Sequence, residues 1–136
     1  ERFAWVHSIE RLKIAQRLSD QRPPGAAPLQ ACIEVNVSGE ASKAGVEPAA
    51  LDGLVDAVAV LPGLALRGLM GMPAPEQDFE RQRAGFRRLA QLAAAQAARG
   101  YRLETLSMGT TADLEAAIAE GATLVRVGTA LFGPRR

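Results

Sequence analysis

Cysteine, histidine and lysine are nearly missing from this sequence, and each scarcity closes a line of chemistry. The single cysteine, Cys32, lies in the apolar run "ACIEV"; it has no partner for a disulfide and no companions for a structural zinc site, so it reads as a buried structural thiol. His7 is the only histidine, and Lys13 and Lys43 are the only lysines. No apolar run approaches the roughly 20 residues that a membrane helix needs. The opening "ERFAWVHSIE" lacks the basic-then-apolar layout of a signal peptide. Neither sign of charge is in excess: 16 Lys and Arg against 15 Asp and Glu leave +1, which gives no general attraction to nucleic acid or to an anionic membrane. These absences predict a cytoplasmic protein with neither of those partners. An initiating methionine is also absent, and Glu1 opens on what reads as a strand, so the gene is expected to start upstream.

What is present has the profile of one globular domain, with 48% hydrophobic and 23% charged residues over 136 positions. Short apolar runs alternate with helical stretches. "AWVHSI" precedes "ERLKIAQRLSD", in which Leu12, Ile14, Ala15 and Leu18 share a face; "RPPGAAP" then marks a loop. "LQACIEVNVS" is a strand and "SGEASKAGV" the loop after it. From Glu47 to Leu61, residues Leu51, Leu54, Val55, Val58 and Leu61 fall at helical spacing until Pro62-Gly63 stops them. The strand "LALRGLMGM" follows, and "PAPE" opens a long helix to Gly100 with Phe79, Phe86, Leu89, Ala90 and Ala93 on its buried stripe. The strand "TLSMG", a helix from about Thr111 to Glu120, and the strand within "TLVRVGTALFG" complete the chain.

Five strands separated by four helices imply an α/β protein with a parallel sheet covered by helices. An open doubly wound sheet and part of a (β/α)8 barrel compete. In "CIEVNVS", Ile33, Val35 and Val37 point one way while Glu34, Asn36 and Ser38 point the other. A barrel tolerates polar groups inside near its C-terminal mouth, where active sites sit, so parity favours the barrel. The same parity sends Val125 and Val127 to the helical layer, and Leu124, Arg126 and Gly128 to the interior. Five strands do not close a barrel of eight; three β/α units are expected to be missing.

Loops after the last two strands of many barrels form a phosphate site. Here those strands end in "LSMGTTADLEAAI" and "VRVGTALFG". Each supplies a glycine, which lets backbone approach an anion, then a threonine, whose hydroxyl can donate to it. Thr110 and Asp113 also have capping-box spacing, so caps and turns alone explain the pattern equally well.

The segments "VNVSGEASKAGV", "LRGLMGMPAPE", "LSMGTTADLEAAI" and "LVRVGTALFGPR" resemble, in order, the signature segments of the YggS/PROSC family of pyridoxal-phosphate-binding homeostasis proteins. "VHSIERLKIAQRLSDQ" resembles that family's fourth strand and following helix, so the likeness covers essentially the whole chain. It implies a TIM-type barrel like the cofactor domain of alanine racemase, with residues 1–136 as its C-terminal part, strands four to eight. The family's first three strands, and the lysine that forms its Schiff base, would then be absent. A second departure is "MGTT": Thr110 stands where the family has methionine, and Thr111 keeps a hydroxyl where it has serine.

Carried over residue by residue, the resemblance implies that Ser107 and Thr111 lie at the phosphate end of pyridoxal 5'-phosphate. Gly128 and Thr129 would supply backbone and hydroxyl donors, and Arg126 would lie by the pyridine ring. A permanently charged guanidinium there keeps the ring nitrogen unprotonated and weakens the cofactor as an electron sink, as suits a carrier. The implied function is therefore non-catalytic handling of the cofactor supply. An amino-acid racemase or decarboxylase of the same fold, and a structural fragment with only a residual phosphate site, remain the alternatives. Lys13 on a helix and Lys43 in a polar loop are expected to be solvated, His7 to be a hydrogen-bonded structural residue, and Met70 and Met72 to be core. The run "RQRAGFRR" reads as a solvated helix face. Two open sheet edges predict self-association of the chain.

Overall fold

The computed structural model describes residues 3–41 and 43–135. The chain runs β1 (Trp5–Ile9), α1 (Leu12–Asp20), β2 (Leu29–Val35), a 3-10 turn at Pro48–Ala50, α2 (Leu51–Ala59) and β3 (Leu64–Gly71). It continues through α3 (Phe79–Ala98), β4 (Thr105–Ser107), α4 (Leu114–Ala119) and α5 (Thr129–Phe132). All strand pairs are parallel, and the sheet order is β1-β2-β3-β4. Each strand thus pairs with its neighbour in sequence. A doubly wound sheet reverses its order at a switch point, whereas an arc of barrel does not.

The expected fifth strand is the main departure. Residues 123–127 do lie beside β4: the amides of Thr123 and Leu124 donate to the Leu106 carbonyl at 3.0 and 3.2 Å, and Met108 N donates to Leu124 O at 3.1 Å. Only Leu124, opposite Ser107, forms a bridge. The cause is the shortness of β4. Gly109 sits at φ +97°, which turns the chain out of extended conformation two residues after the strand ends, so no regular ladder can grow along it.

The core lies between sheet and helices. Ile33 and Val35 of β2, Leu69 of β3, Leu51, Val55 and Val58 of α2, and Phe86 and Leu89 of α3 are all buried. Leu51, Leu54, Val55 and Val58 form the expected α2 stripe. In α3 the stripe shifts: Phe86, Leu89 and Ala93 are buried, but Phe79 in the first turn is 44% exposed and Ala90 only half-buried. Gln96 takes the place below, its amide donating to Asp52 Oδ1 at 2.7 Å and its carbonyl accepting from Arg99 at 2.7 Å, so its burial leaves no polar atom unpaired. Two arginines of the expected solvated face, Arg83 and Arg87, both donate to Glu120 at the end of α4, at 2.8 Å. They tie α3 to α4. Among the described residues no helix is long and apolar enough to cross a membrane.

The β2–β3 register slips by one residue between Ala31 and Cys32, leaving Arg67 as the extra residue and setting Gly68 opposite Thr105 of β4. A Cβ at residue 68 would stand 1.8 Å from the Thr105 carbonyl oxygen. Gly68→Ala therefore separates β3 from β4, and is expected to cost about 3 kcal/mol in a denaturant titration. Wild-type stability in that variant would show the approach to be unimportant. Among the described residues β1 pairs only with β2, so its outer edge stays open. The 136-residue chain alone is accordingly expected to self-associate, or to bind a segment that supplies the missing strands. Sedimentation as a stable, cooperatively unfolding monomer would contradict this.

Candidate functional site

The concave side of the sheet carries polar side chains at its C-terminal end. His7 from β1, Cys32 and Glu34 from β2, and Ser107 from β4 converge there on Arg126. Arg126 Nη1 donates to Ser107 Oγ at 2.5 Å, and Nη2 makes a long bond of 3.4 Å to the Gly71 carbonyl at the end of β3. Its own amide donates to Gly109 O at 2.9 Å, which anchors the backbone behind the side chain. Ser107 is fully buried, and its Oγ also lies 2.8 Å from His7 Nδ1. The parity reading thus sent Arg126 the right way, into a polar interior.

Electrostatics follow from that enclosure. Burial draws the Arg126 pKa down from its ordinary value, and the negative fields of Glu34 and Asp113 oppose the shift. Guanidinium nonetheless stays protonated, so the interior holds one fixed positive charge. Burial, then the charge of Arg126, lowers the pKa of His7 and makes its neutral form the resident one. Burial and the charge of Glu10 raise the pKa of Glu34, with Arg126 acting the other way. Burial pushes the Cys32 thiol up to about 11, which leaves it protonated as expected of a structural thiol.

The two Gly-Thr loops meet beside this cluster. Ala130 N donates to Thr111 Oγ1 at 3.2 Å, which joins the loop after β4 to the start of α5. Asp113 Oδ1 accepts from the amide of Thr110 at 2.7 Å and from its hydroxyl at 3.3 Å. That is half of the expected capping box, and it delays α4 to Leu114. Among the described residues the amides of Gly128 and Thr129 donate to no other group. With α4 six residues long and α5 only four, helix dipoles contribute little there, and the donors the junction offers are direct amides and hydroxyls. The site residues expected from sequence therefore fall into two sets. Thr111, Gly128 and Thr129 lie at the loop junction, while Ser107 and Arg126 are bonded to each other inside the sheet.

A cavity of about 230 Å3 opens next to Arg126, lined among others by Met72, Pro73, Gly109, Asp113 and Lys43. Lys43 is exposed, as expected, yet it stands at this mouth; Met72 is exposed there too, while Met70 is buried. Sequence reasoning did not find the Gly71 carbonyl or the pairing of His7 with Ser107. The available signal for the second was strand parity, since Trp5 and His7 share one face and their rings meet edge to face at 5.8 Å.

An arc of parallel strands with a fixed cation inside and Gly-Thr loops at its mouth is the architecture of part of a (β/α)8 barrel. Residues 2–136 match the family model "Alanine racemase, N-terminal domain", and the chain belongs to that family. Its likeness to the YggS/PROSC proteins holds over nearly the whole of this chain. It is 58% identical over 135 residues to the pyridoxal phosphate homeostasis protein of Pseudomonas aeruginosa, covering 99% of this chain and 57% of that protein. It is 51% identical to the protein of the same name from Escherichia coli K12, covering 99% and 58%. The chain thus spans somewhat over half the length of these relatives. Among solved structures, PipY of Synechococcus elongatus with pyridoxal phosphate bound superposes with a TM-score of 0.83 at 34% identity, over 96% of this chain and 61% of PipY. Alanine racemase of Corynebacterium glutamicum, at 18% identity and a TM-score of 0.69 over 96% of this chain and 36% of the racemase, shares the fold.

Because His7 is the only histidine, its ring titration can be followed by NMR without assignment. The midpoint is expected below the ordinary 6.5. Arg126→Gln should raise it without bringing it to 6.5, since burial is the larger cause. The folded state resists protonation of this ring, so its contribution to stability is complete above pH 6.5 and is lost as pH falls through the depressed folded value. A midpoint at or above 6.5 would contradict the geometry.

Proposed function

We propose that this chain is the phosphate- and ring-binding part of a pyridoxal 5'-phosphate carrier that takes part in intracellular cofactor supply and catalyses no reaction of its own. The observation that carries the reading is Arg126, a half-buried guanidinium held beside two loops whose hydroxyls and amides suit a phosphate. The donor set fits the group. Thr111, Thr129 and the Gly128 and Thr129 amides offer neutral donors to a dianion, and guanidinium N–H groups beyond those bonded to Ser107 and Gly71 remain for a ring nitrogen. No lone cationic or acidic contact would do both jobs.

Pyridoxal phosphate supplies an electron-withdrawing ring that stabilises carbanions best when its nitrogen is protonated, which takes an acidic partner. Arg126 only donates there and leaves the nitrogen unprotonated. The relatives are named for homeostasis and not for a reaction, which is compatible with a carrier. Lys13, on α1, and Lys43 are both exposed, and neither lies inside the polar interior with Arg126.

Titration with inorganic phosphate, followed by amide NMR, is expected to move Gly128 and Thr129. Thr111→Val or Thr129→Val should weaken that binding by about tenfold, the loss of one hydrogen bond of roughly 1.4 kcal/mol. Shifts that avoid Gly128 and Thr129 would refute the site. The chain extended to its relatives' length should take up pyridoxal phosphate, seen as visible absorbance, without exchanging the α-proton of alanine in heavy water. Rapid exchange would favour an enzyme.

A further inference from the structure

Within the proposed site one set of contacts serves the protein and not the ligand. Ser107 Oγ accepts a hydrogen bond from Arg126 Nη1, and it has a single proton of its own to donate. The acceptor within reach is His7 Nδ1, at 2.8 Å. With the imidazole proton on Nε2, the tautomer that gives the Ser107 proton an acceptor, the chain runs Arg126 N–H to Ser107 O and Ser107 O–H to His7 Nδ1. The two residues come from β1 and β4, the outermost strands of the sheet, so the guanidinium is referred to both sides of the arc.

We propose that Ser107 and His7 are positioning residues that set the angle of the Arg126 guanidinium toward the cofactor ring, and that Ser107 is not itself a ligand of the phosphate. This rests on the carrier reading for the identity of the ring, but the hydrogen-bond chain exists without it. An arginine side chain is rich in rotamers, and its planar fork recognises a partner best when its plane is set beforehand. The Gly71 carbonyl, at 3.4 Å, is too far to set that plane alone. Ser107 is fully buried and its one proton, the only thing it could give a phosphate, is directed to His7, whereas Thr111 and Thr129 stand at the junction of the loops. The groups facing His7 are Ser107 and Arg126 together with the edge of Trp5; none of these is an acid that would hold the imidazolium form.

The test uses the longest natural chain that carries residues 1–136 and three readouts: the Arg126 Nε–H NMR signal, affinity for inorganic phosphate, and affinity for pyridoxine, which has the ring without phosphate or aldehyde. Ser107→Ala and His7→Leu should broaden or shift the Arg126 signal and weaken pyridoxine about tenfold, as loss of a hydrogen bond does. Phosphate affinity should stay within about twofold, since a lone anion needs none of the ring's orientation. His7→Asn, whose amide oxygen can accept from Ser107, should restore both the signal and the pyridoxine affinity, which a merely destabilised variant would not do. An unchanged Arg126 signal in Ser107→Ala and His7→Leu overturns the proposal. So does a loss of phosphate binding in Ser107→Ala as large as that in Thr111→Val, which would make Ser107 an anion ligand. If the Arg126 signal responds as expected but the wild-type protein binds neither pyridoxine nor phosphate, the positioning stands and the carrier reading fails.

Discussion

The hydrogen bond between His7 and Ser107 fixes the shape on which the site depends. Two strands separate β1 from β4, and in a flat sheet spaced at about 4.8 Å their axes would stand roughly 14 Å apart. A histidine and a serine cannot bridge that gap with a 2.8 Å bond unless the sheet curls toward them. Curvature is therefore built into the four strands present, independently of any strand that would close the circle. Given the curl, the residues pointing inward near the C-terminal end are brought together, and the Arg126 side chain enters a space already walled by β1, β2, β3 and β4.

A single half-buried charge then organises the neighbours. Arg126 helps to keep His7 neutral, opposes the upward drift of Glu34, and is in turn sustained by Glu34 and Asp113 without an ion pair to either. Had a carboxylate paired directly with it, the guanidinium would be neutralised and its plane turned to that partner. Bonding to a hydroxyl and a carbonyl leaves the charge uncompensated and aimed outward. The outer layer has the opposite arrangement. There Arg83 and Arg87 meet Glu120, and Arg99 meets Asp56 at 2.7 Å, so the basic side chains of α3 are spent on holding helices together.

Much of this was legible in the sequence because period and parity are local properties. The alternation of apolar runs and helices, the α2 stripe and the inward direction of Arg126 all follow from spacing. The last strand did not follow, because its pairing is limited by the brevity of β4, itself ended by the turn at Gly109. Phe79 was misplaced because periodicity does not say how far the core extends under a first turn. The burial of Gln96 and the pairing of Ser107 escaped notice for a different reason. Their burial is tolerated only by partners far away in the chain, Asp52 for one and His7 for the other, and no local pattern announces such a partner.

Cys32 shows what the same enclosure does to a side chain that takes no part in binding. Its sulfur shares the interior with Arg126, and a cation would ordinarily draw out a thiolate. Burial wins instead, and a thiol held at about 11 is ionised in only about one molecule in ten thousand at neutral pH. An aldehyde carried in that space would meet a spectator and not a nucleophile.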